Sequence, residues 1–117
     1  MRTWFHVLLL TVVSSLLVSC SINAPTPSSE IPASPVSELK YADYTCASLT
    51  TALESLARRN LDLVRAQEKR IQSSEVQGTI LGVGQGDGAE ASELSNVRGE
   101  QAAAAKVFNA KRCEYKR

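Results

Sequence analysis

The sequence predicts an all-α fold: an antiparallel two-helix hairpin, coiled-coil-like, behind a disordered Pro/Ser-rich tether. Three observations lead there. All four prolines fall between residues 21 and 40. From Thr45 to Gln77 there is neither Pro nor Gly, and apolar residues recur at three- and four-residue steps once the polar Asn60 and Gln67 are included. Five of the six glycines then crowd into residues 78–88, and a second three-four pattern follows them. A chain of 117 residues holds one small domain. Once a leader and a linker are set aside, roughly 70 residues remain, a size at which one core gives marginal stability without staples or a partner.

The first element is a targeting segment, residues 1–19. Arg2 is its one charge before an apolar core from Val7 to Val18, interrupted only by Thr11, Ser14 and Ser15. That core is shorter than the ~20 residues a bilayer span needs, and it has the length of a signal-peptide core. It closes on Leu17-Val18-Ser19-Cys20, which resembles the lipobox of bacterial lipoproteins. The resemblance implies cleavage between Ser19 and Cys20, a diacylglycerol thioether on Cys20, and acylation of the new amine. Two or three acyl chains hold a protein durably where one does not, at about 0.8 kcal/mol per buried methylene. In Gram-negative lipoproteins an Asp after the cysteine favours the inner membrane. In a Gram-negative host Ser21 therefore implies the periplasmic face of the outer membrane; in any other host the lipid anchor implies the cell membrane.

Residues 20–43 form the expected linker. SINAPTPSSEIPASPVSELK offers prolines that remove donors and favour extended backbone, and serines that build no core. At about 3 Å per residue, such a tether would lift the domain several tens of ångströms from the bilayer. Pro32 and Pro35 make one PxxP without a flanking basic residue, a weak ligand motif.

The hairpin is expected over residues 44–115. On the first helix Leu49, Leu53, Leu56, Asn60, Leu63, Gln67 and Ile71 share a face, with Thr45 as N-cap and Gly78 ending the pattern. Asn60 and Gln67 either set register or mark an exposed edge. The glycine-rich turn spans 78–88. Within it Ile80 and Leu81 either contact a membrane or partner, or fold back over the hairpin end. Asp87 with Glu90 forms a capping-box pattern for the second helix, which carries Leu94, Val97, Gln101, Ala104, Phe108 and Lys111 on one face. Glu90 and Glu93 suit its positive end, and Lys111 and Arg112 its negative end. Gly99 weakens it by about 1 kcal/mol relative to Ala.

An antiparallel hairpin sets Cys46, at the start of the first helix, beside Cys113, at the end of the second. With Cys20 acylated, these two remain as an even pair in an oxidising compartment, and a disulfide is expected. The alternative is two independent thiols. Tyr41-Ala42-Asp43-Tyr44-Thr45-Cys46 together with Cys113 also resembles small, uncharacterised helical-hairpin envelope lipoproteins, a likeness that implies architecture and location without an activity.

The inventory argues against catalysis. His6, the single histidine, leaves with the leader, so no His-based triad or His-ligated metal site is expected. Gly84-Gln85-Gly86-Asp87-Gly88-Ala89 fits GxGxxA but lacks the βαβ context a dinucleotide needs. Asp87 and Glu90 supply too few ligands for calcium. Formal charge is +1, and removal of Arg2 balances the chain, unlike a nucleic-acid binder. No cofactor and no small-molecule substrate are expected. The expected role is a non-catalytic envelope lipoprotein, structural or interacting, held to the membrane by its lipid. A homodimer packing as four helices, or a helical protein partner, would cover the remaining helix faces. The alternative is a lipid-tethered inhibitor or accessory subunit of a secretion or conjugation apparatus.

Overall fold

The computed structural model describes residues 23–115. Two α-helices dominate: α1, Cys46–Leu81, and α2, Ala89–Ala110. They pack antiparallel, and the described residues hold no strand element. The helical hairpin is therefore as expected.

Thr45 caps α1, accepting the Ser48 N–H at 3.1 Å on its Oγ1. The helix runs past Gly78 and stops at Gly82, whose φ of 74° is the left-handed C-terminal cap that glycine adopts without strain. Ile80 and Leu81 thus occupy the last helical turn rather than a loop. The glycine-rich turn is correspondingly shorter than 78–88, because Gly78 costs less inside the helix than a break there would. Residues 83–88 then run back along the helix just completed, bending at Gly86, whose φ is 66°.

The capping box at Asp87 does not form. Gly88 is the N-cap of α2 and no side-chain bond caps it. Asp87 is engaged elsewhere and Glu90 pairs with Arg70.

The main correction concerns the linker. Residues 23–44 are not a free tether: they lie along the hairpin as a strap that runs parallel to α2. Short 3₁₀ turns at Ser28–Glu30 and Glu38–Tyr41 interrupt an otherwise extended path. The physical reason is the open side of a two-helix pair. Two apolar clusters form along the hairpin, and the strap contributes to each. Ile31 packs with Leu63, Ala91, Leu94 and Val97. Tyr41 packs with Leu49, Ala103, Ala104, Val107 and Phe108, backed by Val36. Prolines suit this role, because an extended strap with few N–H groups leaves few donors to satisfy against an apolar surface.

Gly99 records how closely the strap approaches. A Cβ at this position would lie 2.0 Å from the Ser34 carbonyl oxygen. The glycine that weakens α2 locally is thus what lets backbone meet helix. Ser34 N–H donates to the Ser95 carbonyl at 2.9 Å, and the two serine hydroxyls lie 2.8 Å apart.

Between the two clusters Asn60 Nδ2 donates to Gln101 Oε1 at 2.7 Å, tying together the polar positions of the two seams. At the open end Cys46 and Cys113 are disulfide-bonded, with Cα atoms 5.4 Å apart. Lys111 Nζ donates to the carbonyls of Ala42 and Tyr44 at 2.7 and 2.8 Å, fastening the end of α2 to the strap–α1 junction.

Candidate functional site

Three places concentrate the molecule's unusual chemistry: the disulfide end, a polar lock under the strap, and the far end of the hairpin. Ser19 and Cys20 lie outside the described residues.

The lock is built on Gln67, fully buried on the α1 seam. Its Nε2 donates to the Thr26 carbonyl at 2.8 Å and to Asp87 Oδ1 at 3.0 Å. Thr26 in turn donates its N–H to Asp87 Oδ1 at 2.7 Å and its hydroxyl to Oδ2 at 2.6 Å. One carboxylate therefore joins strap, return segment and α1. The Thr26 hydroxyl, followed by the Thr26 N–H, Gln67 and nearby Arg70, holds the Asp87 carboxyl below its ordinary range, against a smaller opposing effect of burial. Gln67 Oε1 is buried without a partner among the described residues. The exposed-edge reading of Gln67 is therefore replaced by a lock position.

Beside it Arg70 grips Glu90 with both arms of its guanidinium, each bond 3.1 Å. That fork keeps the Glu90 carboxyl ionised below its ordinary value. Further along, Arg98 donates to the carbonyls of Ser28, at 2.8 Å, and Ile31. Glu100 accepts from Lys40 at 2.7 Å and from the Tyr41 hydroxyl at 2.8 Å. The Lys40 bond, then the Tyr41 bond, lower the Glu100 carboxyl, while burial and the same glutamate push the Tyr41 phenol far above its usual value. These groups position one another and fasten the strap.

Sequence reasoning missed this row of fasteners: Thr26, Arg98, Gly99 and Glu100. One signal was present. A glycine in an alanine-rich helix, with Gln on the facing seam, indicates that a third backbone approaches.

The far end has a different character. Ile80 and Leu81 are 74% and 71% exposed, and Val76 and Val83 are exposed beside them. The fold-back reading of Ile80 and Leu81 is thereby corrected: the last turn of α1 leaves both side chains exposed. A hollow of about 710 Å³ lies next to them, bordered by Pro25, Pro27, Ile71, Ser74 and Gly78. A second, of about 410 Å³, lies at the strap edge between Val36 and Gly99. Neither brings a nucleophile to a general base; Lys106, at the rim of the second, pairs with Glu38 at 3.2 Å. Among the described residues no group of His, Cys, Asp and Glu is placed to hold a metal, and no helix is long and apolar enough to cross a membrane.

Compared with known families, characterised proteins and solved structures, the chain matches none of them. The arrangement itself carries the functional reading: a clasped, strapped rod with an apolar end.

Proposed function

We propose that the chain is a small envelope lipoprotein, exported, cleaved before Cys20 and held to a membrane by acyl chains on that cysteine. Its role is non-catalytic: a structural element or a binding partner at the membrane surface. In a two-membrane envelope, Ser21 favours the periplasmic face of the outer membrane. The observation that carries the reading is the division among the three cysteines. Cys46 and Cys113 consume one another in a disulfide, the mark of an oxidising compartment. Cys20 stands where an apolar leader ends, behind the small residue Ser19.

The strap changes what anchorage would mean. With residues 23–44 docked, no long spacer separates hairpin and bilayer, and the folded part rides close to the lipid surface. The test is intact-mass measurement on protein isolated from its native compartment, before and after reduction. The expected mass is that of the chain from Cys20 onward plus a diacylglyceryl group and an amide-linked acyl chain, gaining two hydrogens on reduction. An unacylated amino terminus, or two free thiols in the native protein, overturns the proposal.

A further inference from the structure

We infer that the exposed end of the hairpin is a lipid-contacting face, and that Val76, Ile80, Leu81 and Val83 enter the surface of the bilayer to which Cys20 is anchored. This rests on the lipoprotein reading above. The first support is where the described chain begins. Asn23 sits at this end, not at the disulfide end. Its carbonyl accepts the Gly86 N–H at 2.8 Å, and its Nδ2 contacts the Gly84 carbonyl at 3.4 Å. Gly84 lies against Ser74 as well, so Asn23 is about two helical turns, roughly 10 Å, short of Leu81. Cys20 precedes Asn23 by three residues, which span at most about 10 Å. An acylated Cys20 therefore holds this end, and only this end, next to lipid.

The second support is charge. From Val76 to Gly86 there is no ionisable side chain, and there is none from Asn23 to Ser29. The two segments that make up the end of the rod are uncharged, and Glu75 and Asp87 mark their border. The opposite end carries Lys40, Asp43, Lys111, Arg112 and Glu114. Inserting side chains into a bilayer surface requires a face with no charge to desolvate, and one end of this rod has it. Four exposed apolar side chains on one helix end and its return segment are costly in water. Beside an acyl anchor they add a second, weaker attachment that fixes orientation: the hairpin stands end-on, with its disulfide directed away from the membrane.

The single tryptophan of the chain is Trp4, which leader cleavage removes, so Leu81→Trp places a lone fluorophore in the mature protein. The acylated full-length product is reconstituted into phosphatidylcholine vesicles with or without brominated acyl chains. The expected result is a blue-shifted emission that brominated lipid quenches, while a Tyr115→Trp probe at the disulfide end stays unquenched. Ile80→Ser combined with Leu81→Ser, both exposed and checked for folding by circular dichroism, should speed transfer of the acylated protein between vesicles by about ten- to a hundredfold. An unquenched Leu81→Trp on protein that still floats with vesicles overturns the contact and leaves the anchor standing. A blue shift without bromine quenching assigns the face to protein, a second copy included, and also overturns it. An unacylated chain removes anchor and contact together.

Discussion

Replacing Gly99 with alanine distinguishes a docked strap from a free one by the sign of the stability change. In an isolated helix the substitution stabilises by about 1 kcal/mol, since alanine is the better helix former. In this structure the new Cβ would sit 2.0 Å from the Ser34 carbonyl oxygen and 3.0 Å from the Val36 side chain. Ordinary contact needs more than an ångström of additional room, and a backbone oxygen cannot rotate aside. Moving it costs about 1–3 kcal/mol as overpacking. It also strains the two Ser34–Ser95 hydrogen bonds, each worth about 1 kcal/mol. Against the helix gain, the net expectation is a loss of about 2 kcal/mol. Urea unfolding of the disulfide-intact protein, followed by far-UV circular dichroism, measures it. Tryptic cleavage after Lys40 should accelerate in parallel as the strap lifts. A Gly99→Ala protein more stable than the parent, with Lys40 no more accessible, refutes the docked strap.

Other outcomes follow from the same contacts. Gln67→Ala should cost about 3 kcal/mol by urea unfolding, from the cavity and two lost donations; Gln67→Leu, which fills the space and removes the unpartnered oxygen, should cost less. Replacing Cys46 and Cys113 together by alanine should lower stability by about 4 kcal/mol in the chain-entropy picture, given a sequence separation of 67, and a thermal melt unchanged from the parent would contradict the clasp. Asp87, Glu90 and Glu100 have carboxyls lowered in the folded state. The unfolded chain therefore binds their protons first, and stability is full above about pH 5 and declines as pH falls below it. Asp87→Asn should flatten part of that decline in acid titrations. Tyr41 runs the other way: its raised phenol means stability is complete below about pH 10 and is lost as pH rises further. Tyr41→Phe should remove that alkaline loss.

The helices were legible because their signal is periodic. Leu49, Leu63, Leu94, Val97, Ala104 and Phe108 lie buried on the seams that the three-four spacing drew. Cys46 and Cys113 were legible because hairpin geometry alone brings them together. The strap was not, since docked extended chain has no period to detect. Its prolines and serines read the same whether bound or free. Its fasteners are backbone carbonyls, gripped by Arg98 and Lys111, residues that on a helical wheel look like ordinary solvated charges. The polar seam position Gln67 was ambiguous for a related reason: its partners, Thr26 and Asp87, are remote in sequence and lie on no shared helical face. Gly78 misled differently. Glycine density located the turn, yet only backbone conformation, at Gly82, decided where the helix ended.

The strap also makes the number of passes along the rod odd. Strap, α1 and α2 traverse it in turn, so the chain is described from Asn23 at one pole and leaves at Tyr115, stacked on Phe108, at the other. α1 alone measures about 54 Å. A label attached at Tyr115 would therefore ride at the opposite pole from residue 23, whereas a bare two-pass hairpin would have carried both on the same side.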